Sequence, residues 1–112
     1  MSIRIAAATT DGKIINEHFG RASAFYIVEL DESGYRFMEK RETAPVCGGG
    51  SHDDGAMAKN IALLDDCRAV LVSRAGPGAK RALELQGISV FEIGLPIDEA
   101  LDKLRAYYYK MR

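Results

Sequence analysis

Short apolar runs separated by turn residues dominate the first third of the chain and predict three β-strands. Residues 3–9 are β-branched and alanine-rich, as in a buried strand, and residues 24–30 form a second apolar run. Ser33-Gly34 predicts the turn into a third strand over 35–43, where apolar and charged residues alternate. Such alternation is typical of a half-exposed edge strand.

From residue 53 onward, apolar residues also recur at helical spacing. Met57, Ile61 and Leu64 follow this period and predict a first helix. A second helix is expected to begin near Pro77 and to end at Gly87, because proline favours the first helical turn and glycine the position after the last. A third helix is predicted after Pro96, with one apolar side formed by Ala100, Leu101, Leu104 and Tyr108.

Two further strands are predicted between these helices. The near-continuous apolar run over 68–73 is typical of a strand covered on both faces, and 88–93 forms the fifth strand. The predicted element order is β-β-β-α-β-α-β-α. Three successive strands followed by two β-α units indicate an α/β fold, with a mixed five-stranded sheet and helices on both faces. Residues 1–112 are expected to form a single domain.

Composition narrows the class of protein. The 112 residues include 15 basic and 16 acidic side chains, so no excess positive charge favours binding to nucleic acid or to an anionic membrane. No apolar run is long enough to cross a bilayer, and the first residues do not resemble a secretory signal. With only two cysteines, a reduced chain in the cytoplasm is expected.

The segment from Cys47 to His52 is the first candidate for function. It places a thiol and an imidazole on either side of Gly48, Gly49 and Gly50, with Ser51 before the histidine. Thiolate and imidazole suit iron, zinc, copper or iron–sulfur species, and the glycines allow the backbone to bend around a ligand. The alternative is a flexible crossover with an incidental thiol. Structural zinc requires about four nitrogen or sulfur ligands, so this sparse set suits a large preassembled cofactor better.

A second candidate is the motif Glu17-His18-Phe19-Gly20-Arg21-Ala22. His18 is suited to ligate a metal or to donate a hydrogen bond to an anion, and Arg21 supplies a fixed positive charge. The alternative is equally compatible with the spacing: His18 caps its own loop while Arg21 pairs with Glu17 on the surface.

Two other motifs favour structural roles. Cys67 opens a buried strand and is expected to be a packing thiol; a disulfide with Cys47 is not supported by the expected compartment. Gly76-Pro77-Gly78 occupies a strand-to-helix position that can bind anions, but it lacks the spacing of a nucleotide-binding loop. An ordinary turn is the favoured interpretation.

Together, several motifs along nearly the whole chain carry a family resemblance. They are Asp11-Gly12-Lys13, Glu17-His18-Phe19-Gly20-Arg21-Ala22, Phe25, Cys47, Asp66-Cys67-Arg68-Ala69-Val70-Leu71-Val72, Gly76-Pro77-Gly78-Ala79 and Gly87-Ile88. With them the chain resembles the dinitrogenase iron–molybdenum cofactor family, which includes NifX-type cofactor carriers and the C-terminal domain of NifB-type biosynthesis proteins.

The resemblance implies a ribonuclease-H-like fold and binding of an iron–sulfur or iron–molybdenum-type cluster, or its precursor, without catalysis. His18 and Cys47 are then the first ligand candidates and His52 the third, while Arg21 offsets the charge of the cluster. A carrier of this kind is expected to exchange its cluster with a donor or acceptor protein. We expect the loop after the first strand and the Cys47 loop to open at the same end of the sheet.

Two alternatives remain open from the sequence. One is a small regulatory or protein-interaction module whose glycine loop becomes ordered on contact with a partner. The other is a metal-dependent nuclease of the ribonuclease-H-like type. That chemistry needs converging carboxylates, and the predicted first strand carries no acid between Ile3 and Ala8.

Overall fold

Five strands and three helices follow one another in a computed structural model that describes residues 2–43 and 54–109. The predicted mixed five-stranded sheet and three helices are confirmed. The elements are β1 (Ile3–Ala8), β2 (Ala24–Asp31), β3 (Gly34–Glu42), α1 (Asp54–Ala62), β4 (Ala69–Val72), α2 (Pro77–Leu85), β5 (Ser89–Glu92) and α3 (Ile97–Tyr109), with a short 3₁₀ helix at Phe19–Arg21.

The strand order across the sheet is β3-β2-β1-β4-β5. Strands β1, β2 and β3 pair antiparallel; a tight turn joins β2 to β3, whereas the long loop over 9–23 joins β1 to β2. Strands β4 and β5 run parallel to β1, because each follows a helical crossover. The four residues of β4 are fully buried, as the continuous apolar run predicted, and β3 lies at the edge.

Each face of the sheet is covered by helices, and the alternation of side chains along each strand decides which residues lie on which face. Ala6 and Val70 belong to a core with residues of α1 and α2, including Ile61 and Leu83. The second core lies against α3 and contains Ile5, Ala7, Leu71, Leu101 and Leu104. The apolar side predicted for the third helix is therefore the side that faces the sheet.

One irregularity in β3 was not predicted from the alternating sequence. The register shifts so that Phe37 pairs with Val28, whereas Glu39 pairs with Ile27, which leaves Met38 as the extra residue of a β-bulge. As a result, Phe37 lies on the α3 face and Glu39 on the opposite face. A simple alternation from residue 35 to 43 is therefore wrong at Met38.

Asp66, in the turn between α1 and β4, joins three parts of the fold. Its carboxylate accepts two hydrogen bonds from the Arg41 guanidinium, at 2.7 and 2.9 Å, and one from Arg4 at 2.8 Å. Arg41 also donates to the carbonyl of Leu63 at 2.6 Å. The turn is thereby fixed to β1 and to the edge strand β3. The Arg41 guanidinium, followed by Arg4, holds the pKa of Asp66 well below its usual range.

We predict that Asp66→Asn lowers the free energy of unfolding by about 1 kcal/mol at pH 7, a value reduced for the partial exposure of the ion pair. Because the folded state depresses the pKa of this carboxyl, its contribution is present above the pKa of the unfolded chain and is lost as the pH falls. The difference between the two proteins should therefore shrink between about pH 5 and pH 2. Urea unfolding at a series of pH values measures it.

Asp65→Asn is the matched control, since Asp65 is exposed and makes no ion pair within the described residues. A difference between Asp66→Asn and the parent protein that stayed constant down to pH 2 would contradict the assignment to this ion pair.

Candidate functional site

The carboxyl ends of β1 and β4 lie side by side at the centre of the sheet. From β1 the chain continues to β2 on one side, whereas from β4 it continues through α2 to β5 on the other side. Open α/β sheets bind their ligands outside the strand ends at such a switch point, and we call the surface at this position the crevice. The topology thus identifies this crevice as the candidate site, independently of any motif.

The loop from residue 9 to 23, which follows β1, is held in place before it reaches the crevice. Its first turn is closed by the Asp11 carboxylate, which accepts hydrogen bonds from the backbone N–H groups of Lys13 at 2.8 Å and Ile14 at 3.3 Å. These bonds lower the pKa of Asp11. Gly12, within this turn, has a φ of 77°, a conformation that favours glycine.

Further along, the loop is joined to the segment that leads into α3. The Ile15 N–H donates to the carbonyl of Leu95 at 3.0 Å, and the Ile97 N–H donates to the carbonyl of Lys13 at 2.8 Å. The Ile15 side chain is buried in the core beneath α3. The loop therefore enters the crevice from a fixed position.

Residues 17–19 lie between the ends of β1 and β4 and join them. The Glu17 N–H donates to the carbonyl of Ala8 at 3.3 Å, and the Glu17 carbonyl accepts from the Ser73 N–H at 3.0 Å. The Phe19 N–H donates to the carbonyl of Arg74 at 2.9 Å, and His18 forms a parallel bridge with Arg74. The backbone of this segment is thus anchored to both strands.

The anchoring directs His18 outward. Phe19 is only 1% exposed and contacts the ring of Phe25, with 5.6 Å between the ring centroids. Because successive side chains of an extended segment point in opposite directions, the neighbouring His18 faces solvent, and it is exposed in the structure. Residues that are paired in a β-bridge have their side chains on the same side of the two strands, and Arg74 is exposed as well.

The structural alternative for this motif is not observed. His18 occupies the N-cap position of the 3₁₀ helix, but its side chain makes no capping hydrogen bond. Among the described residues, Arg21 is exposed and forms no ion pair with Glu17. Both side chains therefore remain available at the surface of the crevice.

The other predicted ligand segment, with Cys47, Gly48, Gly49, Gly50 and His52, lies outside the described residues. The chain reaches that segment at Thr43, whose N–H donates to the carbonyl of Ser23 and whose hydroxyl donates to the carbonyl of Ala22. Strand β3 runs parallel to β1. It therefore finishes at the end of the sheet where the loop carrying His18 begins. The two loops therefore start at one end of the sheet, as the topology predicted.

Cys67 lies before β4, whereas the crevice follows it. The thiol is 6% exposed, belongs to the core beneath α1 and α2, and forms no disulfide. Burial, followed by the nearby Asp66 carboxylate, raises the pKa of Cys67 to about 12. The prediction of a packing thiol is confirmed.

The turn into α2 contains its own carboxylate. Glu92 accepts a hydrogen bond from the Ala75 N–H at 3.1 Å and lies 3.7 Å from the Lys80 ammonium. The Ala75 N–H, followed by the charges of Lys80 and Arg74, lowers the pKa of Glu92. This arrangement favours the structural interpretation of the Gly76-Pro77-Gly78 motif.

The sequence profile of the family described as "Dinitrogenase iron-molybdenum cofactor" matches residues 1–107. The chain belongs to this family. It is 41% identical over 87 residues to the FeMo cofactor biosynthesis protein NifB of Sinorhizobium fredii, covering 78% of this chain and 18% of that protein. It is 36% identical over 107 residues to NifB of Frankia alni, covering 93% of this chain and 21% of the relative. The chain therefore spans about a fifth of the length of these relatives.

Solved structures share the fold of this family member. The protein PH0822 aligns with a TM-score of 0.69 at 21% identity, covering 94% of this chain and 92% of its own. The apo form of the orange protein from Desulfovibrio gigas aligns with a TM-score of 0.64 at 23% identity, covering 90% and 85%. Within the described residues, no helix is both long and apolar enough to cross a membrane.

Arg74 is the residue of the crevice that the sequence pattern did not identify. It is the second residue after the buried strand β4, at the carboxyl end where α/β sheets bind ligands. That position was visible in the sequence, but its pairing with His18 joins residues 56 positions apart and depends on the fold. No local motif predicts such a contact.

The burial of Cys67 predicts low reactivity. In a Cys47→Ser variant, which leaves Cys67 as the remaining cysteine, we expect Ellman's reagent at pH 8 to react at least about 100-fold more slowly with the folded than with the urea-unfolded protein, because the raised pKa removes the thiolate. Absorbance at the wavelength of the released thiolate measures the rate. Equal rates in the two states would contradict a packing role.

Proposed function

We propose that this protein binds an iron–sulfur or iron–molybdenum-type cluster, or its precursor, as cargo and does not catalyse a reaction on it. The observation that carries the proposal is His18: an exposed imidazole, without a capping hydrogen bond, that an anchored backbone presents at the switch-point crevice. Family membership and the biosynthetic NifB relatives support the class of cargo.

The donor set fits a preformed cluster better than a single metal ion. Among the residues that the structure describes, no group of three or more histidine, cysteine or acidic side chains is placed to hold a metal. A cluster that already carries its own sulfides needs only one or two protein ligands. In this proposal His18 ligates one metal atom and Cys47 another, with His52 as the third candidate.

The other residues of the site affect the charge around the cluster and how closely the chain can approach it. Arg21, three residues after His18 in the 3₁₀ helix, offsets the negative charge of the cargo. Gly48, Gly49 and Gly50 allow the backbone to approach the cluster closely. The exposed position of His18 suits transfer of the cluster to and from a donor or acceptor protein. In this proposal the α/β sheet that carries the site is of the ribonuclease-H-like type.

The carboxylates of the described residues do not favour a nuclease. Asp11 is engaged by the N–H groups of its own turn, and Asp66 is engaged by Arg4 and Arg41. Within the part of the chain that the structure describes, neither belongs to a group of three or more histidine, cysteine or acidic side chains that could hold a metal. A protein-interaction module remains the second candidate function and differs in requiring no cluster.

Cluster binding is tested by anaerobic reconstitution with ferrous iron, sulfide and a thiol, followed by visible absorption and by iron and sulfide analysis. We expect the parent protein to bind a cluster, because His18 and Cys47 supply suitable ligands. His18→Ala and Cys47→Ala should each reduce the bound iron by at least about half, since each removes one of very few ligands. Added imidazole should partly restore binding to His18→Ala.

Cys67→Ala is the matched control for Cys47→Ala, because it removes the other cysteine of the chain from a buried position. It should retain the cluster. If both His18→Ala and Cys47→Ala bind as much iron as the parent protein, the assignment of ligands is wrong, and if the parent protein binds none, the interaction module is favoured.

A further inference from the structure

We propose that Arg74 is a second cargo-binding residue of the His18 site and that its guanidinium donates hydrogen bonds to the anionic sulfide surface of the cluster. This inference rests on the proposed function, which supplies the class of ligand. It adds a residue that lies outside the motif around His18 and that the fold alone brings to the crevice.

The first support is position. His18 and Arg74 are partners in a parallel bridge, with the Phe19 N–H bonded to the Arg74 carbonyl at 2.9 Å. Bridged strands lie about 5 Å apart, so the two side chains begin next to one another. Both are exposed, and the buried neighbour Phe19 shows which side of the ribbon faces the core. A ligand bound at His18 is therefore within reach of the Arg74 side chain.

The second support is the pairing of the other arginines. Five of them have a partner elsewhere in the described structure: Arg4 and Arg41 bind Asp66, Arg36 binds Glu29, Arg105 binds Asp102, and Arg68 lies over the ring of Tyr108.

Arg74 and Arg21 form no ion pair or side-chain hydrogen bond with the described residues, and the same is true of Arg81 on the outward side of α2. Two of these three arginines are joined to His18 through the backbone, Arg21 on its own loop and Arg74 across the bridge. The crevice therefore retains exposed positive charge from Arg21 and Arg74.

Among the described residues, the charge of Arg74 acts on the Glu92 carboxylate, which is the candidate partner for a structural role. The charge of Arg74 contributes to the low pKa of Glu92, but it ranks after the Ala75 N–H and the Lys80 ammonium. Lys80, at 3.7 Å, already forms the ion pair with that carboxylate. Glu92 is therefore satisfied without Arg74, and the guanidinium is free to act on a ligand.

The chemistry of the guanidinium suits this ligand. Its planar fork presents N–H donors to two acceptor atoms at once and carries a charge at every physiological pH. Hydrogen bonds to cluster sulfides stabilise the anionic cluster and tune its potential. A lysine would retain the charge but lose the fork, so the two contributions can be separated by substitution.

The test uses tetrathiomolybdate, a dianion whose surface consists of sulfide, and measures its affinity by equilibrium dialysis with detection of its visible absorption. We expect Arg74→Gln to weaken binding about tenfold at low ionic strength, as for loss of a charged hydrogen bond. Arg74→Lys should lose about threefold, because it retains the charge. The effect of Arg74→Gln should diminish in about 0.5 M salt, which screens an exposed charge.

Two control variants separate binding from structure. Arg81→Gln removes an exposed arginine from helix α2, and Arg36→Gln removes an exposed arginine from the edge strand β3. Both should bind within about twofold of the parent protein, since neither charge lies on the bridge with His18. Circular dichroism and urea midpoints confirm that each variant is folded.

The outcomes distinguish this inference from the proposed function. If His18→Ala loses binding while Arg74→Gln retains it, Arg74 is not a cargo-binding residue and the proposed function stands. If Arg74→Gln weakens binding while His18→Ala does not, Arg74 is an anion-binding residue, and the ligand role of His18 is decided by the iron bound in the anaerobic reconstitution. Equal losses in Arg74→Gln and Arg81→Gln, or no binding by the parent protein, would overturn the inference.

Discussion

The parallel pairing of β1 with β4 is the constraint on which the rest of the structure depends. Ile5, Ala6 and Ala7 pair with Ala69, Val70 and Leu71, and all of these residues are fully buried. A parallel pair cannot be closed by a hairpin, so the chain between the two strands must cross the sheet through α1. Burial of both faces in turn requires helices on each side. The same pairing brings two carboxyl ends together at the crevice.

The inner side of the crevice is formed by the backbone of residues 17–19, whose hydrogen bonds are satisfied. Strand ends leave N–H and C=O groups that are costly to bury without a partner. Residues 17–19 supply partners to Ala8, Ser73 and Arg74, and they receive partners in return. Because main-chain groups perform this task, the side chains of His18 and Arg74 are not consumed by it. The backbone that carries these side chains loses little freedom when a ligand binds, which favours affinity.

Local patterns in the sequence predicted the elements because local physics determines them. The continuous apolar run of β4 requires burial on both faces, and the stripe of Ala100, Leu101 and Leu104 requires a sheet beneath α3. The bulge at Met38 was missed because it depends on register with β2 rather than on composition. His18 was found through its motif, but its neighbour Arg74 was not, since a bridge between distant residues follows only from the assembled sheet.

The charged side chains before β4 and those after it have different roles. Before β4, Asp66 is saturated by Arg4 and Arg41, and the Cys67 thiol is buried, so these groups stabilise the fold and are not available to a ligand. After β4, Arg74 keeps its guanidinium exposed beside His18. The four residues of β4 separate the two sets by about 13 Å, a distance at which substitutions act almost independently. Stability and cargo binding can therefore be altered separately, because the ion pairs of Asp66 and the exposed side chains of His18 and Arg74 lie at opposite ends of one buried strand.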